Sequence, residues 1–191
     1  RLHQPQKHPK NPILKKDRDW EKVLYIRTNT WNVHWDEQDE IFKCWYEDLG
    51  WDYEKFVREG PSTPSEVGPY FHTTVDNRIL YAQSNDGIHW EKPELGYRSI
   101  NGQLTNICFG NEAYGRVHAC SILQDPFESR GPQRFKAIYW HEKTGIHDAR
   151  IAAAYSPDGK CWTPYDRPVQ IGQISERQLG DVMIFSADPQ A

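Results

Sequence analysis

The chain has 191 residues and a mass of 22.4 kDa, enough for one domain with a sizeable core. Its 23 basic and 27 acidic side chains give a net charge of −4 and form no basic stripe, which argues against nucleic acid as a partner. No apolar run approaches the roughly 18 residues that span a bilayer, so no membrane partner is expected.

The first residue is Arg1, and no signal-peptide pattern is visible in the chain. The compartment and the oligomeric state stay open at this stage. A secreted or periplasmic location is favoured, with the leader not present in this chain.

Aromatic residues dominate the apolar composition. Eight Trp, ten Tyr and 13 Pro stand against a single Met, which favours short strands packed through rings over long helices. The four cysteines form no CxxC or CxxH pair, so no zinc site is predicted. We expect half-buried core thiols, with two disulfides as the alternative. The cysteines are Cys44, Cys108, Cys120 and Cys161.

A first unit of predicted strands begins near residue 28. A strand over 28–35 turns at Asp36 into a second strand over 42–46, and a third strand covers 78–83. The connection between the second and third strands, about 47–77, is far longer than a hairpin needs, and long ordered loops tend to carry function.

A second unit repeats this order. A strand over 117–124 turns at Asp125 into a strand over 135–139, and a further strand covers 149–155. The second strands share the pattern FKxxY. A third unit is predicted to begin near residue 179.

The same phrase, SxDGxxW, closes both units, at 84–90 and 156–162. Gly in the fourth position suits a turn that needs a left-handed residue, as in a type I turn with a bulge. After each turn a Trp is expected to re-enter the sheet. Pro93 and Pro164 follow, and they lack the amide of a central strand, so these strands are predicted to be outer edges.

Repeated four-stranded antiparallel meanders are typical of propeller blades. The sequence therefore predicts an all-β chain with about two blades and the first strand of a third. A propeller closes with roughly four to eight blades, so a fragment is expected. A two-sheet sandwich is the alternative. The predicted ranges are blade 1 at about 20–98, an inter-blade segment at 99–115, blade 2 at about 116–170 and the start of blade 3 at about 179–191.

In such a meander, each first strand starts at the end of the sheet where each second strand finishes. The Asp36 and Asp125 turns and both SxDGxxW turns then lie at the opposite end, where Asp bonds its own backbone. A third Asp turn is predicted at Asp188, and counting back seven residues from Asp36, Asp125 and Asp188 gives Asn29, His118 and Asp181 as the starts of the first strands. These polar positions would surround the mouth of a central channel, where a small ligand binds.

The loops at this mouth are rich in rings and polar groups. A sugar ring offers an apolar face and a rim of hydroxyls, so rings beside polar side chains suit its recognition. The predicted substrate-binding residues are Trp31, Trp51, Tyr70, Tyr114, Arg116, His147 and Asp148.

Several longer segments carry a family resemblance. They are HPKNPIL at 8–14, DWE at 19–21, FKCWY at 42–46, YAQSNDGIHWEKPELG at 81–96, SILQDP at 121–126 and RFKAIYW at 134–140. Together they resemble five-bladed β-propeller proteins similar to glycoside hydrolase families 32 and 43, the invertase, levanase and arabinanase group. The resemblance implies a partial five-bladed propeller for this chain.

The resemblance also implies a pair of acids at the inner strands, because glycoside cleavage needs one group to protonate the leaving oxygen and another to attack or activate water. Asp181 matches that placement, whereas Asn29 and His118 stand where acids are expected. Glu21, Glu112 and Asp125 are further candidate acids, and Asp125 returns only if the strand register differs from the prediction. No cofactor is predicted, and no ligand loop for a structural calcium is visible.

Three functions follow. The first is a glycosidase that cleaves an oligo- or polysaccharide with Asp181 as one carboxylate and with His118 and Asn29 holding sugar hydroxyls. The second is a carbohydrate-binding propeller without catalysis, and the third is a structural repeat module.

Overall fold

The computed structural model describes residues 4–25, 31–50, 53–60, 62–63, 65, 76–110, 116–128, 130–142, 150–166, 169, 184 and 186–188. These residues form antiparallel sheets with almost no helix, so the prediction of an all-β chain is confirmed. A short helix, α1 (Tyr53–Glu59), lies within the connection that was predicted to be a loop.

The first sheet is built around its longest strand, which pairs with a neighbour on each side. Its strands are β1 (Val23–Tyr25), β2 (Trp31–Asp36), β3 (Ile41–Gly50), β4 (Asp76–Ser84) and β7 (Ile107–Phe109). Strands β1 and β2 lie one after the other along one edge of β3, and β4 pairs with the other edge over its whole length. The three strands of the first predicted unit are thus confirmed, and β3 continues four residues beyond its predicted end.

The second sheet is a four-stranded meander in the order β11-β10-β9-β8. Its strands are β8 (Arg116–Gln124), β9 (Phe135–Glu142), β10 (Arg150–Ser156) and β11 (Thr163–Pro164). The outermost strand contains Pro164, as predicted from its missing amide. The strand order of the second unit is therefore confirmed.

The outer edge of the first sheet differs from the prediction. Residues near Pro93 contribute only one bridge, between Gln83 and Glu91, and the edge strand is instead β7. Between them a small hairpin joins β5 (Ser99–Ile100) to β6 (Gln103–Leu104). The segment predicted as purely inter-blade thus belongs in part to the first sheet, because its run of buried apolar residues can pair where Pro93 cannot.

The two sheets pack face to face through an aromatic core. Trp45 is fully buried at its centre and makes ring contacts with Tyr81, Phe135 and Trp162. Asn32 of β2 also bonds the backbone of β8, donating to the Cys120 carbonyl at 3.1 Å and accepting from the Ile122 amide at 2.9 Å. Rings and side-chain amides therefore join the sheets, as the aromatic composition led us to expect.

A second apolar cluster covers the other face of the first sheet. Tyr46 and Leu80 lie there beneath Trp20, which comes from the N-terminal segment. All four cysteines are free. The expectation of core thiols is confirmed for Cys44, Cys108 and Cys120 and is wrong for Cys161, which is exposed because it lies in a surface turn.

Candidate functional site

The repeated turn has the same hydrogen bonds in both copies. In the second copy, Ser156 Oγ accepts from the amides of Asp158 and Gly159, and Asp158 Oδ1 accepts from the amides of Lys160 and Cys161. The first copy repeats each of these bonds, and in both the Trp indole donates to the Gly carbonyl, at 3.1 and 3.0 Å. These carboxylates therefore hold their own turns, as predicted from turn chemistry.

An ion cluster joins the two sheets at the end where these turns lie. The buried carboxylate of Asp36 lies 2.6 Å from Lys43 Nζ and 2.6 Å from an Arg134 nitrogen. Lys43 also donates to the Asp158 carbonyl, and Arg134 to the Pro157 carbonyl. Burial acts to raise the pKa of Asp36, but the two cations outweigh it and hold that pKa below its usual value.

Asp125 lies at this same end, as the predicted strand register requires. Its side chain accepts from the Phe127 amide at 2.8 Å and from Lys136 Nζ, and the hydrogen bond from Lys136 is the main cause of its lowered pKa. A cleft of about 770 Å³ opens beside it, with Trp35 and Arg130 in its lining. The Asp125 carboxylate thus stabilises a turn and pairs with Lys136, at the end of the sheet opposite the starts of the first strands.

The opposite end brings His118 to a carboxylate of the other sheet. Glu47, near the end of β3, is fully buried, and its Oε1 is bonded to His118 Nδ1 of β8. Its Oε2 accepts from the amide of Ala119 at 3.2 Å. The His118 side chain keeps 22% of its surface exposed, so this pair links a buried acid to a partly accessible ring.

The backbone beside His118 is irregular. The β8–β9 register shifts between His118 and Ser121, which inserts one extra residue into β8. Ala119 adopts φ 51°, a left-handed conformation that non-glycine residues rarely take. Bulges of this kind often lie next to active sites, where they redirect a side chain.

A second polar network lies at the same end, on the other face of β3. Asp48 is fully buried and accepts two hydrogen bonds from Arg78, at 3.0 and 2.9 Å, as well as one from the Lys22 amide. Asp76 pairs in turn with Arg98 at 2.7 Å. Each of these charges faces an opposite charge, so the network serves to anchor the N-terminal segment to the sheet.

Glu21, a candidate acid from the sequence, belongs to the core of that segment. It is fully buried, and Lys92 Nζ lies 2.6 and 2.8 Å from its two oxygens. The Tyr46 hydroxyl and the amides of Asp17 and Arg18 donate to it as well. Glu21 thus accepts five hydrogen bonds from four donor groups, an environment that fits a structural role.

Two of the remaining predicted site residues lie at the first positions of strands. Trp31 and Arg116 begin β2 and β8, which gives their place in the sheets. Eight others lie outside the described residues: Asn29, Trp51, Tyr70, Glu112, Tyr114, His147, Asp148 and Asp181.

Glu47 is the residue that the sequence reasoning missed. A signal for it was present, because an acid directly after FKCWY falls at the finish of a second strand, which is the end where His118 was placed. Within the described ranges, no cluster of three or more His, Cys, Asp or Glu residues could hold a metal ion. No helix among these residues is long and apolar enough to cross a membrane.

Several proteins of known structure are similar to this chain. A fructofuranosidase from Schwanniomyces occidentalis, complexed with fructose, has 18% identity and a TM-score of 0.45 over 81% of this chain and 27% of its own. A Parabacteroides distasonis protein described as a glycoside hydrolase has 19% identity and a TM-score of 0.48 over 84% and 40%. An N-acetylgalactosamine deacetylase from F. plautii, in complex with blood group B trisaccharide, has 17% identity and a TM-score of 0.39 over 70% and 28%.

The chain is similar to glycoside hydrolases of known structure. The matched region spans between 27% and 40% of the length of these three structures. No family model and no curated protein matches the chain.

Proposed function

We propose that this chain is a glycoside hydrolase-like, carbohydrate-active protein that binds an oligo- or polysaccharide at the end of the sheets where His118 lies. The observation that carries the proposal is the bond between buried Glu47 and partly exposed His118 across the sheet junction. A sugar hydroxyl both donates and accepts, and an imidazole held by a carboxylate is a directed partner for it.

In the proposed reaction, two carboxyl groups divide the work of glycoside cleavage: one protonates the leaving oxygen, and the other attacks the sugar or activates water. Asp181 supplies one of them, while His118 and Asn29 hold sugar hydroxyls. Glu47 has no surface exposed to a substrate. It therefore acts behind His118 and is not itself one of the reacting acids.

The loops around this end supply the rest of the proposed binding surface. Flat rings would stack on the apolar face of a sugar, and polar side chains would bond its hydroxyl rim. The proposed residues are Trp31, Trp51, Tyr70, Tyr114, Arg116, His147 and Asp148.

We propose further that the two sheets are successive blades of a partial five-bladed propeller. The matching turns at one end and the contact of β8 with β2, β3 and β4 support this arrangement over two unrelated sheets. The first blade then extends to Phe109, blade 2 runs from about 116 to 170, and a third begins near 179.

The experiment is glycan binding and turnover by the chain and by three variants. Asp181→Asn is expected to abolish turnover while keeping the protein folded, and His118→Gln to weaken both binding and turnover. Asp125→Asn, at the opposite end of the sheets, is the control and is expected to keep both. If Asp181→Asn retained full turnover, Asp181 would not be the reacting carboxylate.

The second candidate function is a carbohydrate-binding propeller without catalysis. It is favoured by a histidine, rather than an acid, at the start of β8 and by the complete burial of Glu47. Sugar binding that is lost in His118→Gln, with no turnover by the parent chain, would select this function. Absence of binding to any glycan would leave a structural module.

A further inference from the structure

The bond between Glu47 and His118 determines which nitrogen of the histidine ring carries a proton. Glu47 is fully buried between the sheets, and it contacts two nitrogens of β8: the ring nitrogen Nδ1 of His118 and the backbone amide nitrogen of Ala119, which donates to it. A carboxylate offers only acceptors. The proton of the Glu47–His118 bond therefore belongs on Nδ1.

The bulge in β8 is what brings both donors to one carboxylate. The extra residue between His118 and Ser121 and the left-handed φ of Ala119 turn the amide of Ala119 toward Glu47 Oε2. A non-glycine residue in this conformation is strained and persists only where its surroundings impose it. Such strain, placed beside a partly exposed ring, points to a function in positioning that ring.

We propose that Glu47 is a positioning residue that holds His118 in the tautomer with its proton on Nδ1 and its lone pair on Nε2. In that tautomer Nε2 accepts a hydrogen bond from a ligand, here a sugar hydroxyl, instead of donating one. The identity of the ligand rests on the proposed function, whereas the tautomer and its dependence on Glu47 do not.

Glutamine at position 47 tests the idea because it has nearly the same shape. Its side chain has one acceptor oxygen and one NH₂ donor, so it cannot accept from both His118 and Ala119. With the oxygen toward the Ala119 amide, the NH₂ group faces Nδ1 and requires Nδ1 to accept. The proton then moves to Nε2, and the tautomer is reversed.

The measurement is ¹⁵N NMR of the chain labelled at histidine, at a pH where the His118 ring is neutral. His118 is assigned as the signal that disappears in His118→Gln. We expect Nδ1–H in the parent chain and Nε2–H in Glu47→Gln. Asp48→Asn is the matched control: Asp48 is equally buried and adjacent in sequence but bonds Arg78 instead, so its loss leaves the His118 tautomer unchanged.

Nε2–H in the parent chain would overturn the proposal whether or not Glu47→Gln folds. So would an unchanged tautomer in a folded Glu47→Gln chain, or a reversal in Asp48→Asn as well. For the ligand, Glu47→Gln is expected to weaken glycan binding by roughly two- to tenfold, the worth of one hydrogen bond. If the chains show the expected tautomers but the parent chain binds no glycan, the proposed function is refuted and the positioning role of Glu47 stands.

Discussion

The two copies of the turn allow two contributions to stability to be measured separately: the contact between the sheets and the backbone strain of the turn. Gly87 and Gly159 occupy the same position of SxDGxxW and have nearly equal φ values of 71° and 75°. A Cβ added at Gly87 would lie 3.7 Å from the nearest Phe42 atom, an ordinary contact. A Cβ added at Gly159 would lie 2.3 Å from Trp45 Cζ2, closer than two such atoms can approach.

The expected loss in the free energy of unfolding differs between these two environments. Alanine in a left-handed turn costs roughly 1–2 kcal/mol at either position. At Gly159 the collision with the buried Trp45 ring adds roughly 1–3 kcal/mol of overpacking. The bond from Trp45 Nε1 to the Gly159 carbonyl, at 2.6 Å, is also at risk, and leaving a buried donor without a partner costs about 1–3 kcal/mol. Gly159→Ala is therefore expected to lower the free energy of unfolding by several kcal/mol more than is lost in the matched control Gly87→Ala.

Urea unfolding followed by tryptophan fluorescence measures both variants against the parent chain. A double-mutant cycle with Trp45→Phe then isolates the collision, because the smaller ring leaves room for the new methyl group. We expect Gly159→Ala to be less harmful in the Trp45→Phe background than in the parent. Equal losses at Gly87 and Gly159, within about 0.5 kcal/mol, would refute the reasoning, since turn strain alone would then explain both.

Three further predictions concern buried charges and thiols. Asp36→Asn removes the buried carboxylate shared by Lys43 and Arg134, while Lys43 keeps Asp39 at 2.7 Å, and is expected to cost up to about 3–5 kcal/mol in denaturant unfolding. Because the pKa of Asp36 is lowered in the folded state, its contribution is complete above the unfolded pKa near 3.8 and is lost as the pH falls through the folded value. The stability difference between the two proteins should thus narrow in acid, and a constant difference would contradict the ion-pair explanation. Glu21→Gln is expected to destabilise the fold by a similar amount, about 3–5 kcal/mol; a variant of parental stability that lost only turnover would show Glu21 to be catalytic. One thiol, Cys161, should react with a thiol reagent in the native chain, because the other three are buried and burial raises the pKa of Cys44 to about 12. Fast labelling of Cys161→Ser would disprove this.

Local features of the fold could be predicted from the sequence. The Ser and Asp side chains of SxDGxxW bond amides only two or three residues away, so the turn is complete within its own seven residues. The strand before each turn, β4 or β10, pairs antiparallel with its neighbour, and the register of that pair follows once the turns are placed. For these reasons the sequence predicts correctly that Asp125 and His118 lie at opposite ends of β8.

The predicted outer strand of the first sheet was wrong, because the choice of an edge strand is not settled by a local signal. Trp90, just before Pro93, suggested an edge strand there. However, any apolar segment long enough to pair can form hydrogen bonds with the open edge of β4. Strand β7 (Ile107–Phe109) provides that run, although it lies more than 20 residues after Ser84, the last residue of β4. The choice between two such segments depends on which one the core buries.

The chain's own pattern of turns and aromatic strands is enough to specify an antiparallel β fold and the two ends of its sheets, because those signals act over a few residues. The partners across the sheet junction came only from the packed structure. Glu47 and His118 are 71 positions apart, and Asp36 and Arg134 are 98 apart. Such contacts form only when two sheets pack face to face and bury both side chains, and no local pattern in the sequence encodes which residues then meet.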